Sequence, residues 1–563
     1  MAGLVECVPN FSEGRDRSVL DAIAREIEGV DGVRLLDVDP GADTNRTVVT
    51  FVGSVDGVAE AAFRAIRCAA ERIDMSKHKG AHPRMGATDV CPFVPVSGVT
   101  MEDCAAIARR VGERVGRELS IPIYLYEHAA SRPDRRSLAD IRVGEYEGLE
   151  AKLRDPQWAP DFGPASFNAR TGATVIGARE FLIAYNVNLN TRDKKLANEI
   201  AFEIRETGRI ARGPDGQPLL DEKGQPVRTQ GMLKAIRAVG WTIEEYGCAQ
   251  VSINLLNYHT TPVHAAFEAC VLEATKLGLR VTGSELVGLI PLEAVRMAGH
   301  YYLARQGKST GVPESELVHV AVQSLGLSSI TPFDPAKKII EYTVREGRRA
   351  LVDLSVRGFV DELSTDSPAP GGGSVAALCG ALGAALGAMV ANLTVGKKGF
   401  EAVRDEMIEI AEEGQAAKDA FLEDIDRDTD AFNAMMAASR LPKKTPEEQA
   451  ARERAIQAAS RDAILVPLRV LERCLGVLEL AEATAARGNP NSVSDAAVAA
   501  LAAVACAEGA YDNVIINLSG ITDRAWAEDI AGRAKALLVE RKRQGTEIAD
   551  AVRNLLEEKN NAV

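Results

Sequence analysis

Three absences narrow the field. No CxxC pair occurs among the nine cysteines, which are scattered from Cys7 to Cys506. An odd set with that spacing argues against a secreted disulfide scaffold and fits reduced thiols in a cytoplasmic protein. Positive charge is not in surplus either, since 66 Lys and Arg stand against 80 Asp and Glu, a formal net charge of −14. That balance excludes a phosphate-neutralising surface and nucleic acid as a partner, although a local donor cluster can still hold a small anion. The opening MAGLVECVPNFSEGRD lacks the basic start and long apolar stretch of a secretory signal, so the mature chain is expected to begin near Met1. The seven histidines are equally scattered. The nearest pairs, His78 with His82 and His259 with His264, come without the Cys or acidic partners of a metal cluster, and no catalytic metal is expected.

What is present is an ordinary globular composition, 46% apolar and 26% charged over 563 residues, too long for one core and enough for three or four compact units. In the first half, residues 4–8, 33–38 and 47–52 are short aliphatic runs, and 18–28 and 58–73 carry apolar residues at helical spacing. The order strand, helix, strand, strand, helix predicts α/β or α+β layers with helices on a sheet. A strand at 181–187, a helix near 194–206 and a strand at 250–256 begin the pattern again. Residues 1–180 and 181–335 are therefore read as two related subdomains, joined by a short linker at 336–354 to a third unit at 355–563. The stretch at 213–227, GPDGQPLLDEKGQPV, reads as a solvent-exposed hairpin loop.

The third unit changes character: Ala and Leu abound, Pro is scarce, and strand-like runs almost vanish, which predicts an all-α helical bundle. Residues 367–396 bear no charged side chain and are long enough to span a bilayer. Their richness in Ala and Gly favours a buried bundle helix over membrane insertion. Ala376, Gly380 and Ala384, with Gly383 and Gly387 beside them, form a small-residue face for close helix pairing, within or between subunits.

Two segments carry the chemistry. At 78–93, HKGAHPRMGATDVCPF, Gly80 and Pro83 flank His82 and break any helix, leaving a loop that leads into an apolar strand. An imidazole there suits proton transfer at neutral pH, or else it is a structural ring bonded to loop backbone. His78, between Lys77 and Lys79, reads as part of a solvated turn. Asp39, in a DVDPG turn, can orient His82 or hold a reacting amine, or simply bond its own backbone.

VPNFSEGRD (8–16), LLDVDPGADTNRTVVTFVG (35–53), DMSKHKGAHPRMGATDVCPFVPV (74–96) and WAPDFGPASFNARTGATVIGAREFLIAYNVNLN (158–190) closely resemble glutamate formimidoyltransferase, over essentially the first 335 residues. The 213–227 loop is the main departure. The resemblance implies transfer of a formimidoyl group from N-formimidoyl-L-glutamate to N5 of tetrahydrofolate, with His82 as the catalytic histidine. It also makes Gly163, Pro164, Ala165, Ser166, Phe167, Asn168, Ala169, Arg170, Thr171 and Gly172 the folate-binding segment. There the glycines permit close backbone approach, Phe167 can stack on a ring, and Arg170 can pair with a carboxylate.

STDSPAPGGGSVAALCGALGAALG (364–387), VGKK (395–398), LPKKTPEE (441–448) and NVIINLSGITD (513–523) resemble the formimidoyltetrahydrofolate cyclodeaminase domain, over roughly 355–555. The Gly-rich start offers free backbone N–H groups to a carboxylate or a polarised carbonyl. On the helix predicted at 421–436, Phe421, Ile425, Phe432 and Met435 form a stripe with Asp428 at its middle, while Asp424, Asp426 and Asp430 are expected to point away. A carboxylate facing a core has a raised pKa suited to acid work, unless it only bonds a neighbouring helix. The resemblance places the catalytic aspartate in this stretch. It implies ring closure by N10, loss of ammonia and formation of 5,10-methenyltetrahydrofolate, within histidine degradation and one-carbon metabolism. Tetrahydrofolate, polyglutamylated or not, is then a co-substrate, and a homo-oligomer is expected. Rival readings are a methenyltetrahydrofolate cyclohydrolase in the helical half, or a folate-binding scaffold with one decayed site.

Overall fold

The computed structural model describes residues 3–41, 45–80, 83–222, 224–243, 246–345 and 350–561. The chain divides into two compact units, Met1–Val295 with Leu325–Glu346, and Arg296–Ser324 with Gly347–Val563.

The first unit opens with β1 (Leu4–Cys7), β2 (Asn10–Phe11), α1 (Arg17–Glu28), β3 (Val33–Gly41), β4 (Arg46–Gly53) and α2 (Val55–Arg72). It continues through β5 (Thr88–Ser97), α3 (Met101–Leu119), β6 (Ile123–Glu127), α4 (Leu138–Arg142), α5 (Glu145–Arg154) and β7 (Thr174–Ala178). The order predicted for the first 73 residues is observed, with the short β2 added. These strands form one mixed sheet. Both β1 and β2 lie between β4 and β5, β3 pairs outside β4, and β7 and β6 extend the other side in parallel.

One face is a continuous apolar layer in which Val5, Cys7, Phe51 and Phe93 meet Ile23 and Ile27 of α1, Phe63 of α2 and Val111 of α3. Side chains alternate across a strand, so Glu6 lies on the opposite face, 4% exposed. On the β5, β6 and β7 part of that face, Val90, Tyr124, Tyr126 and Val175 pack with Ile141 of α4 and Leu149 of α5.

The second sheet belongs to β8 (Ile183–Leu189), α6 (Lys194–Ile204), β9 (Arg209–Ile210), β10 (Arg228–Thr229), β11 (Ile236–Ile243), β12 (Cys248–Leu255), α7 (Val263–Lys276) and β13 (Val281–Val287). Its order is β11, β12, β8, β13, antiparallel throughout. The 213–227 stretch rises from the β9–β10 ribbon as an exposed double-backed loop, pinned by Ala211 N–H to Val227 O and Leu219 N–H to Ala211 O, both 2.8 Å. Lys223 in it lies outside the described residues. After α8 (Leu292–Arg305) and α9 (Glu314–Leu325), α10 (Pro335–Lys338) and α11 (Ile340–Arg345) close this part of the chain.

The helical half consists of α12 (Val356–Leu363), α13 (Gly372–Thr394), α14 (Arg404–Ser439), α15 (Pro446–Arg487), α16 (Val493–Asn517) and α17 (Arg524–Asn561). α13 packs against α14, α15 and α16, and its small residues explain how. A Cβ at Gly380 would lie 2.5 Å from the Phe421 ring, and one at Gly383 would lie 2.9 Å from Ala499 O. Two helical stretches, Gly372–Thr394 and Val493–Gly520, are long and apolar enough to cross a membrane, and α13 is mostly buried inside its unit. Residues 296–324, although early in the sequence, cluster with these helices: Asn392 Nδ2 donates to Gly311 O at 2.7 Å.

Candidate active sites

The first site is assembled by backbone hydrogen bonds between motifs far apart in sequence. Ser12 donates its hydroxyl to Gly86 O at 2.7 Å and its N–H to Ala87 O at 2.9 Å. Ala87 N–H donates to Thr171 O, and Ala173 N–H donates to Met85 O. Gly86 and Gly172 are where these chains touch. A Cβ on Gly86 would stand 2.3 Å from Ala173 O, and Gly172 adopts a φ of +64° with Met85 O equally close. Asn45 fastens a third segment, accepting from Gly14 N–H at 3.0 Å and donating to Lys79 O at 3.1 Å. The described residues at 12–14, 45–46, 79–80 and 83–89 and the folate-like segment therefore converge at one end of the first sheet.

His82 and its neighbour Ala81 lie outside the described residues, while Gly80 and Pro83 on either side fall inside them. His78 closes a turn with exposed lysines on either side, its N–H donating to Met75 O at 3.2 Å, but its ring is not solvated: Nε2 donates to Asn45 O at 2.8 Å and Nδ1 accepts from Arg84 Nε at 3.3 Å. The flanking lysines mislead because His78 itself turns inward to bind two neighbouring segments. Asp39 is also placed differently from the expectation. It belongs to β3, opposite Val48, and is exposed rather than sitting in a turn. The pairing of Pro40 and Gly41 with Thr47 and Arg46 carries the strand past the DPG sequence.

Of the folate-like segment, Gly163 has a φ of +80° and packs on Gly116 and Ile121 O. Asn168 Oδ1 accepts from the N–H groups of Arg170 and Thr171, a local turn of the kind its side chain favours. Phe167 lies 5.5 Å from the Tyr146 ring, and the Tyr146 hydroxyl donates to Ala169 O at 2.5 Å. Arg170 donates to Glu71 O at 2.5 Å, so part of its donor set is already committed to the scaffold.

Charge around this site is not evident from spacing. Arg84, 8% exposed, holds Glu147 by two bonds of 2.8 and 2.7 Å, keeping the Glu147 carboxyl below its ordinary range. Fully buried Asp89 accepts from Met85 N–H and pairs with Arg142, and Arg46 stands near both. Two guanidinium groups thus flank one carboxylate. The opposite polarity occurs at Glu6, where burial outweighs the attraction of Arg179 and pushes the carboxyl up to about 7.

The second site stands where α14 passes the start of α13. Ser374 Oγ is within 3.1 Å of both Asp428 Oδ2 and Ile425 O, and the Ser374 N–H also bonds the carboxylate. Gly373 must lack a side chain, since a Cβ would fall 2.2 Å from Asp428 Oδ1. Asn513 of α16 lies 3.3 Å from the Cβ position of Gly372. The Gly-rich helix start therefore receives a carboxylate, with Asp428 half-buried against it. Burial raises the Asp428 carboxyl above the ordinary range, and the Ser374 donors oppose that shift.

One expectation on this helix fails. Asp424 does not point away: it is fully buried and bonded by Arg427 at 3.2 Å and by Arg473 of α15. It lies four residues from Asp428, hence on the same side of the helix. An isolated helical wheel assigns that side to apolar partners and has no means of seeing an arginine arriving from another helix. Asp426 is half-buried and accepts from Leu351 N–H at 2.7 Å, and Asp430 is exposed. Phe421 and Ile425 are core residues, whereas Phe432 and Met435 are not fully buried.

Comparison with known proteins accounts for nearly the whole chain. Residues 4–179 match the formiminotransferase domain, N-terminal subdomain, residues 184–345 the formiminotransferase domain, and residues 355–536 formiminotransferase-cyclodeaminase. A formimidoyltransferase-cyclodeaminase of Mus musculus is 46% identical over 97% of this chain and 98% of its own length. This chain belongs to the formimidoyltransferase-cyclodeaminase family. It joins two parts that also match separate proteins. A glutamate formimidoyltransferase of Streptococcus pyogenes is 42% identical over 54% of the chain and 94% of its own length. A methenyltetrahydrofolate cyclohydrolase of Methylorubrum extorquens is 42% identical over 33% of the chain and 89% of its own length. The family places the chain among folate-processing enzymes, and among the described residues no group of three His, Cys, Asp or Glu is arranged to hold a metal.

Proposed function

We propose that the chain moves the formimidoyl group of N-formimidoyl-L-glutamate to N5 of tetrahydrofolate and then closes the product to 5,10-methenyltetrahydrofolate with release of ammonia. The observation that carries this reading is that 97% of the chain aligns with a family member bearing both activities in its name. In the first reaction N5 attacks the formimidoyl carbon, and the glutamate nitrogen leaves after gaining a proton. His82 is assigned the proton transfers, and described residues before and after it are tied to the 163–172 segment, Met75 N–H donating to Arg170 O and Ala87 N–H to Thr171 O. The excess of guanidinium over carboxylate around Asp89 suits substrates that carry carboxylates. Asp39, exposed on β3, is the further substrate-contact candidate.

In the second reaction N10 attacks the same carbon, loses its proton, and the formimidoyl nitrogen departs as ammonia. Asp428 is assigned both proton movements. Its raised carboxyl holds a proton more readily than a solvated aspartate does, and the Ser374 donors still support the ionised form. Tetrahydrofolate is a co-substrate, and no metal enters the scheme. The proposed domain limits are 1–180 and 181–335 for transfer and 355–563 for cyclodeamination, in a cytoplasmic homo-oligomer that neither enters a membrane nor binds nucleic acid.

The likeness to a methenyltetrahydrofolate cyclohydrolase favours one second reading, in which the helical half adds water to the methenyl carbon. One assay separates them. Incubation with formimidoylglutamate and tetrahydrofolate should yield methenyl product and ammonia in equal amounts. If supplied 5-formimidoyltetrahydrofolate gives no ammonia while supplied methenyltetrahydrofolate is hydrolysed, the cyclohydrolase reading replaces the second step.

A further inference from the structure

The second sheet has two unlike faces. On β8 and β12, Tyr185, Val187, Leu189, Val251, Ile253 and Leu255 are buried, on the face against which α6 packs through Gly240 and Ala197. The alternate residues carry amides. Gln250 is fully buried, accepts from Trp241 Nε1 at 2.9 Å, and donates to Asn188 Oδ1 at 2.7 Å and Glu285 Oε2 at 3.2 Å. Asn188, 1% exposed, passes the chain on to Ser329 Oγ at 3.2 Å. The Glu285 carboxylate is also taken by Asn186 and by the Tyr246 hydroxyl, so its charge is committed within the sheet. Buried amides left unpaired are costly, and this network holds each of them in one orientation.

The network ends at a cavity of about 450 Å³ lined by Asn188, Asn190, Thr191, Arg192, Tyr246 and Ser329, among others. That volume is in the range of small-molecule sites. Among the described lining residues Arg192 is the single charged side chain. Its Nε donates to Gly247 O at 3.0 Å, which fixes the guanidinium by one edge. Asn190 turns its Oδ1 to the Arg280 N–H at 2.8 Å, leaving its NH₂ as the donor end. One anchored cation among neutral donors recognises a carboxylate.

We propose that this cavity is a binding site for a glutamyl carboxylate, paired with Arg192 and flanked by Asn190, Thr191 and Ser329. The identity of the glutamyl group rests on the transfer reaction proposed above, in which it has two sources: the formimidoylglutamate donor and the glutamyl tail of the folate. The test uses the full chain. KM is measured separately for the two substrates in wild type, Arg192→Met and Arg192→Lys, with calorimetric titration of glutamate and of p-aminobenzoylglutamate. Ammonia release from supplied 5-formimidoyltetrahydrofolate and circular dichroism check folding.

Arg192→Met should raise one KM by about tenfold or more and weaken the corresponding titration, as expected when a charge-assisted pair is lost. Arg192→Lys should show a smaller rise, and it keeps the test open if the Met variant fails to fold. A rise confined to formimidoylglutamate assigns the cavity to the donor, and a rise confined to tetrahydrofolate assigns it to the folate tail. Both KM values and both affinities within twofold of wild type would overturn the proposal. Absence of transfer by the wild type would instead sink the functional reading, and the calorimetric comparison would still decide the carboxylate site.

Discussion

The two candidate sites are built by different means. Around residues 78–89, segments from 12 to 173 are stitched together largely through main-chain hydrogen bonds, with glycines at the crossings. Around Asp428, two helices supply regular backbone, and the site is specified by side chains: the missing Cβ of Gly373, the Ser374 hydroxyl, and the ion pair of Asp424 one turn away. A loop site of the first kind tolerates replacement of individual side chains without losing its frame. A helix-packing site depends on a few buried contacts, so stability and chemistry are coupled more tightly there.

The sharpest test of that contrast is His82→Ala. A general acid–base group contributes about 10²–10⁴-fold, so transfer should fall by that factor while cyclodeamination of supplied 5-formimidoyltetrahydrofolate continues. Steady-state rates of both reactions in one preparation check it, and near-normal transfer would remove His82 from the mechanism. Asp428→Asn should do the reverse, ending ammonia release and sparing transfer.

Stability of the Asp428 variant follows from sign. A raised carboxyl pKa contributes stability that is present at low pH and lost as pH rises through the folded-state value. The amide should therefore not destabilise the helical half at neutral pH. Asp426→Asn should leave ammonia release closer to normal. A dead Asp426 variant beside an active Asp428 variant would refute the choice of aspartate.

Asp424→Ala should instead unfold the helical half more easily, by about 3 kcal/mol, the lower part of the range for breaking a buried pair because the arginine partners keep some solvent contact. Denaturant midpoints read through a probe in that half measure it. An unchanged midpoint would show the ion pair to be dispensable. If the Asp424 variant keeps its stability yet loses ammonia release, the division between a structural and a chemical aspartate is wrong.

Glu6 extends the comparison to the sheet of the first half. Its carboxyl rises from an ordinary 4.5 to about 7, so its contribution to stability is complete below pH 4.5 and is lost as pH passes 7. The difference is worth roughly 3 kcal/mol. Glu6→Gln should gain about that much relative to wild type on going from pH 4.5 to pH 8, seen in chemical denaturation of the transferase half. A pH-independent difference between the two proteins would show that the Glu6 carboxyl is not raised in the folded protein.

Much of this architecture is legible in the amino-acid sequence. Short aliphatic runs place the early strands and period-3.6 patterning the early helices, because these elements must bury apolar side chains in a shared core. The small-residue face of α13 announces close helix contact, and the Gly-rich start of that helix announces a cradle that Asp428 does occupy. Long-range pairing is not legible. His78 looks solvated until Asn45 and Arg84 arrive from other segments, and Asp424 looks solvent-facing until Arg473 comes from α15.

The cavity beside Asn188 is hidden for the same reason, since the run from Asn188 to Arg192 meets Tyr246 and Ser329 from separate stretches of chain. Local sequence determined the elements, the two-part organisation and the family, all of which depend on periodicity and contiguous motifs. Tertiary structure alone decided which charges are paired and which polar groups share a cavity. Those outcomes depend on side chains brought together across tens to hundreds of residues, where no local repeat carries the information.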